Sequence, residues 1–582
     1  MKSKGLTTFP EDLYFQETPQ EKVDAHLAIL HDHKRTWAAL ATSHKASLVG
    51  DILNRFAQLS GQWVDRNLAA KKNQQNESGI LEEWFVIAGV AKFLHRLATS
   101  LRQIDKYASP RLPAAFTKSM RNRTVAHTFP SSLAERLLLP GYHVEVHFPE
   151  GVTPAQVKQH QAIAHHQSDC GGTICLVLGA GNVAHLALID SLTKLFVENK
   201  TVILKMNPVI ARLGPLYTRC MQPLVDKGFF RLCYGGKHTG TYLVNHDLVD
   251  EIHLTGSKKT YEHIVFGEGP QAEIHKANHR LLNNRPFTAE LGNVTPVIIM
   301  PGTWSDRRLD FAAAQTAGWH TAVAGFGCLS PRVIVTHRQW PLRSAFLKRC
   351  KHYLDKEPLR SAYYPGAHER FNVIKQLHPE MYCTGSPVND QLPWGFIENV
   401  NPAAENEICF KHESFCGIMA ETALDSPSVE NFIIDAAGFC NTSLWGSLVA
   451  LVVVDPDMQR NHCPRIEEMI DQLDYGSVMV NMYSGMGHCL ACAPWGGAPG
   501  RTPFAIDSGV GTVNDPFLLP PIHKAVFRGP FTKAYDPMNI TTRNRVEFAQ
   551  SFAKYNMNPA AANFLRLVAI AAKSAMQRSI SA

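Results

Sequence analysis

The residues best suited to covalent chemistry in this 582-residue chain lie in VAGFGCLSPR, residues 323–332. A cysteine nucleophile needs exposure, room for a substrate to approach, and help in ionising. Cys328 follows Gly325 and Gly327, which add no side chains to crowd an incoming group. Taken alone, the same stretch describes a small residue at a strand entrance. Other polar residues can complete the chemistry. Glu290, in TAELGNVTP (288–296), is a carboxylate able to serve as a general base. Asn182 ends GAGN (179–182), where by itself it can be a turn residue. Glu413 lies in KHESFCG (411–417).

The surrounding periodicity says which elements must position these groups. Residues 21–69 and 82–104 place apolar side chains at three- and four-residue spacing, which predicts a helical N-terminal region. KKNQQNES (71–78) is a polar loop between them. From 140 the pattern changes. GTICLVLG (172–179), TVILKM (201–206), FRLCYGG (230–236) and DLVDEIHLTGS (247–257) read as strands. VAHLALIDSLTKLFVEN (183–199) and residues 209–226 read as helices between them. This alternation predicts a parallel, doubly wound α/β sheet, with ligands at the carboxyl ends of its strands. A second strand series follows: TPVIIM (295–300), PRVIVTHR (331–338), ESFCGIMAE (413–421), residues 447–454 and GSVMVNM (476–482). The end of the chain carries an amphipathic helix over 558–578, whose apolar face is expected to pack on the body or on another subunit.

The ordered set GAGN, ILKMNP (203–208), LTGS (254–257), ELGN, the Gly-rich cysteine loop, KHESFCG and PWGG (494–497) resembles the aldehyde dehydrogenase superfamily. The resemblance runs from about 172 to 500. It implies two doubly wound α/β domains, one binding nucleotide and one catalytic, with a helical N-terminal region and a C-terminal extension. The corresponding boundaries are 1–295, 296–505 and 506–582, the last segment offering an oligomer contact. It also implies NAD(P)-dependent oxidation of a small-molecule aldehyde to a carboxylic acid through a cysteine thiohemiacetal and thioester. By this resemblance Cys328 is the nucleophile, Glu290 the base and Asn182 the oxyanion donor. Lys205, Thr255, Gly256, Ser257, Glu413 and Phe415 would hold the cofactor, NAD or NADP. A homodimer or homotetramer is expected, with YHVEVHF (142–148) as an exposed edge strand for pairing.

Departures from the family pattern mark a divergent branch. AGFG (324–327) precedes the cysteine, Asn293 replaces a glycine after ELG, and Gly-Ala-Gly precedes Asn182. Pro208 stands where many NAD-preferring members carry a glutamate that repels a 2′-phosphate, so the nucleotide stays open. The GAGN turn is also similar to fatty acyl-CoA reductases of the superfamily, which makes a CoA-linked interconversion the alternative. A non-catalytic nucleotide-binding scaffold is the alternative from another class.

Composition narrows the remaining choices. A net charge of +7, dispersed without a basic block, gives no nucleic-acid footprint. No apolar run is long enough for a membrane span, and MKSKGLTTFPEDLYF has no apolar core of a secretory signal. Thirteen scattered cysteines suit free thiols in a reducing, cytoplasmic setting. GHCLAC (487–492) lacks a fourth metal ligand, so no metal site is expected there. Tyr483, Met486 and His488 instead read as substrate-tunnel lining.

Overall fold

Three long helices open the chain, Gln20–Ala39, Thr42–Ala70 and Glu77–Tyr107, in a computed structural model that describes residues 16–72, 76–166, 171–532 and 536–580. The opening stretch read for a secretory signal lies outside the described residues. Apolar spacing places Val49, Ile52, Phe56 and Trp63 on the buried face of the second helix. Asn76 starts the third helix by accepting the Gly79 N–H at 2.7 Å. That helix is buried along most of its length, between the second helix and Arg545–Met557.

The first sheet has six strands in the order Gly509–Val510, Phe287–Glu290, Glu251–Thr255, Ile174–Leu178, Thr201–Lys205 and Phe230–Cys233. All pair in parallel except Gly509–Val510. Ile174–Leu178 is wholly buried, as strands covered on both faces must be. The chain moves outward from it on one side to Thr201–Lys205 and later returns on the other side to Glu251–Thr255. That reversal opens a crevice beyond the carboxyl ends, where GAGN and LTGS sit. The helix expected over 183–199 begins at Leu186 and finishes as a wider π-helical turn, Thr193–Val197.

The second sheet has eleven strands. Its parallel centre runs Lys524–Arg528, Ser477–Val480, Val449–Val453, Thr295–Ile299, Pro331–His337, Ile418–Leu424, Gly395–Ile397. Thr124–Phe129 and His143–His147 extend it antiparallel beside Lys524–Arg528. Two expectations change here. The 142–148 strand is not a free edge: His147 pairs with Val125 on one side and Lys524 on the other. The strand expected from Glu413 begins only at Ile418, because Phe415 takes a left-handed backbone with φ 43°. Thr124–Phe129, His143–His147 and Lys524–Arg528 thus all belong to the second sheet. The last helix, Ala561–Ile580, buries Leu567 and Ile570 and packs on Arg545–Met557. Among the described residues no helix is long and apolar enough to cross a membrane.

Candidate active site

Cys328 is positioned by a tight turn after the helix Asp306–Thr321. Val323, Ala324 and Gly325 all have left-handed backbones, with φ of 56°, 55° and 75°. For the two non-glycine residues this costs about 1–2 kcal/mol each, so the surroundings must hold the turn in place. Arg332 does so. Its buried guanidinium donates to the Gly325 carbonyl at 2.6 Å, the Gly327 carbonyl at 3.1 Å and the Cys416 carbonyl at 2.7 Å. One side chain therefore ties the cysteine loop to the 413–417 loop. Gly325 cannot be replaced without movement, because a Cβ there would lie 2.8 Å from the Cys416 backbone.

Glu290 ends the strand Phe287–Glu290 and reaches Cys328, with Sγ 3.5 Å from Oε1. Burial, then the charge of Asp190, raises the Glu290 carboxyl to about 8. Burial, then the nearby Glu290 and Glu413 carboxyls, holds the Cys328 thiol well above its ordinary value. At neutral pH the pair is thus a thiol facing a mostly protonated acid. Ionising Glu290 creates the acceptor for the thiol proton. Glu290 Oε2 is buried with no hydrogen-bond partner in the protein, which leaves it open to a reacting molecule.

Asn182 lies just beyond Ile174–Leu178. Its amide donates to the Phe326 carbonyl at 2.8 Å, two residues before the cysteine. An amide nitrogen has two hydrogens, and this bond uses one. Tyr363 donates to the Asn182 carbonyl at 3.0 Å and fixes its backbone.

Cys328 stands where two cavities meet. One is polar and is lined by Asn182, Thr255, Gly256, Ser257, Glu290, Glu413 and Phe415. The other is almost wholly apolar and includes Phe85, Leu186, Tyr483, Met486 and His488. The expected lining residues from 483–488 therefore face the cysteine, together with N-terminal helix residues and Met538 from the C-terminal segment.

The residues expected to hold a cofactor are not equally placed. Glu413 Oε1 is buried without a partner, and burial raises its carboxyl to about 7 against the pull of Arg332 and Arg370. Gly292 makes room for it: a Cβ would collide with Glu413 Oε2 and come 3.2 Å from Trp445. Phe415 packs its ring 4.9 Å from Tyr364 and lies under the Arg370 guanidinium at 5.7 Å. Ser257 lines the polar cavity while its hydroxyl caps the helix Lys258–Phe266 through the Thr260 N–H at 3.1 Å. Thr255 turns its hydroxyl inward to Asp190 at 2.8 Å. Lys205 stands apart from the polar cavity's lining. Burial lowers its ammonium to about 8, with Cys233 and Glu17 opposing.

Asn293, the departure from glycine, has a structural task. Its amide donates to the Val449 carbonyl and the Thr295 hydroxyl, both at 2.9 Å, which joins two strands of the second sheet. No local sequence signal marks the positioning roles of Asp190, Arg332 or Arg370. Their partners lie between five and more than eighty residues away and come close only in the fold.

Known proteins share this fold. The aldehyde dehydrogenase family model matches residues 152–366. A betaine aldehyde dehydrogenase of Rhizobium etli is 23% identical over 482 residues, covering 77% of this chain and 87% of that protein. Among solved structures, the Mycobacterium tuberculosis aldehyde dehydrogenase complexed with NAD+ is 16% identical with a TM-score of 0.58, covering 89% of this chain and 92% of the other. The NADP-dependent glyceraldehyde-3-phosphate dehydrogenase of Bacillus halodurans, complexed with NADP, is 16% identical with a TM-score of 0.56, covering 88% and 90%.

Proposed function

We propose that this chain, whose residues 152–366 match the aldehyde dehydrogenase family model, oxidises an aldehyde to a carboxylic acid with NAD or NADP. The contact of 3.5 Å between Cys328 Sγ and Glu290 Oε1, at the junction of a polar and an apolar cavity, carries this reading. The polar cavity suits a nicotinamide nucleotide. Glu413 offers an unpaired, shielded carboxylate oxygen to ribose hydroxyls, and the N-terminus of Lys258–Phe266 favours a pyrophosphate. Gly256 and Phe415 add a bare stretch of backbone and an apolar wall.

Ionised Glu290 accepts the Cys328 proton, and Sγ bonds to the aldehyde carbon. The resulting oxyanion takes hydrogen bonds from the free Nδ2–H of Asn182 and the Cys328 N–H. Fixed neutral donors of this kind lower a barrier by about 2.7–4 kcal/mol each. The nucleotide supplies acceptance of the hydride, which leaves a thioester on Cys328. Glu290 releases the thiol proton to solvent and, ionised again, removes a proton from water, whose oxygen bonds to the acyl carbon. The C–S bond breaks, the acid leaves, and the sulfur recovers its proton from Glu290.

The test is NAD(P)H formation by the purified protein with a panel of aldehydes, both nucleotides, and CoA present or absent. Turnover without CoA is expected, falling about 1000-fold or more in Cys328→Ala. An absolute CoA requirement would replace this reading with a CoA-linked acyl reductase. Absence of nucleotide binding would leave a scaffold.

A further inference from the structure

The apolar cavity beyond Cys328 contains a histidine pair that this chemistry leaves unused. His185 immediately precedes the helix Leu186–Leu192, and His488 lies on the short helix Met486–Leu490. Both line the cavity, and they are only 7% and 8% exposed. Their rings meet edge to face with centroids 5.6 Å apart. Neither ring nitrogen of His488 has a hydrogen-bond partner, and neither does Nδ1 of His185. Buried polar atoms are normally paired, because an unpaired one forfeits its hydration without replacement. A ligand that provides the missing partner recovers that loss.

The rest of the wall says what kind of ligand this is. Phe85, Val86, Leu186, Leu329, Met486 and Met538 give it an apolar surface. Its one carboxylate, Glu82, has both oxygens held by Arg360 at 2.8 Å. Burial lowers His488 to about 4, and burial with the neighbouring His488 drives His185 well below the ordinary imidazole value. Both rings are therefore neutral at physiological pH, and no unpaired charge faces the substrate. A neutral imidazole offers one donor and one acceptor nitrogen that point apart; a hydroxyl, which both donates and accepts, can pair with either kind, whereas a carbonyl can pair only with the donor.

Building on the reading of this chain as an aldehyde-oxidising enzyme, we propose that its substrate is an uncharged aldehyde with an apolar body and a hydroxyl or carbonyl group that hydrogen-bonds His488 and His185. The pair is a specificity determinant separate from the Cys328, Glu290 and Asn182 chemistry.

The test compares kcat/KM for n-alkanals from butanal to decanal with their ω-hydroxy counterparts. At one chain length the hydroxyaldehyde is expected to exceed its alkanal by about tenfold, the scale of a buried neutral hydrogen bond. His488→Phe and His185→Phe should each reduce that ratio, and His488→Gln, which keeps a donor and an acceptor, should retain more of it than His488→Phe. The wild-type comparison needs no variant to fold. A ratio near one at every length, or preference for betaine aldehyde or succinic semialdehyde, would overturn the inference. If no aldehyde supports Cys328-dependent turnover, the functional reading fails and takes this inference with it. Turnover without a hydroxyl preference overturns only the inference.

Discussion

The most informative perturbation is the charge of Asp190, because it acts on Glu290 without touching the cysteine. Glu290 stands at about 8 through burial and the Asp190 charge. A base works in its ionised form, so activity must rise with pH. A carboxyl with a midpoint near 8 is about one-tenth ionised at pH 7 and about nine-tenths at pH 9, a rise of about tenfold. Asp190→Asn keeps an oxygen to accept the Thr255 hydroxyl and removes the negative charge. The midpoint should fall by on the order of one pH unit, which increases turnover at pH 7 several-fold. The assay is kcat from pH 6 to 10 at saturating aldehyde and nucleotide, with Glu290→Gln as the variant that loses the rise. A flat wild-type profile, or a midpoint unmoved in Asp190→Asn, would refute the assignment of Glu290 as the base. Stability supplies a second readout of opposite sign. The folded carboxyl lies above its ordinary 4.5, so the fold favours the protonated form. That stability is fully present below about pH 4.5 and is lost as pH rises to about 8. At about 1.4 kcal/mol per pH unit the loss is at most about 5 kcal/mol. Glu290→Gln should therefore gain stability relative to wild type as pH rises from 5 to 8.

Two further substitutions test the supports of the site. Gly292→Ala places a methyl group against Glu413 Oε2 and Trp445; nucleotide affinity measured by fluorescence titration should fall about tenfold or more while the fold persists by circular dichroism. Arg332→Met removes three hydrogen bonds from a buried guanidinium to the Gly325, Gly327 and Cys416 carbonyls. Denaturant unfolding should show a loss of about 3 kcal/mol or more, with Cys328 reacting abnormally with thiol reagents in the remaining folded protein.

Much of the fold was legible because its strands are short β-branched runs set between helical periodicities. Thr295–Ile299, Pro331–His337 and Val449–Val453 lie within one or two residues of their expected limits. Errors arose where a local pattern competed with a distant contact. HVEVH alternates like an edge strand, yet Lys524–Arg528, nearly four hundred residues later, covers its open side. Residues 413–417 have strand-like composition, but the Arg370 and Arg332 bonds to their carbonyls bend them away from the sheet. Lys205 was placed by its motif at a strand end, where it is found, but the cavity lining that meets Cys328 does not include it.

The sequence by itself determined the ordered set of reactive residue types, since an acid, an amide and a thiol in fixed chain order can be read from their motifs. Tertiary structure alone decided which of them act on one another. A 3.5 Å contact between Cys328 and Glu290 needs the carboxyl end of one sheet to face a turn entering the other. The raised Glu290 carboxyl needs Asp190 and burial from all sides. The neutral pair His185 and His488 needs elements about three hundred residues apart to share a dry wall. Distance, dielectric and charge are properties of neighbours in space, and adjacency along the chain does not supply them.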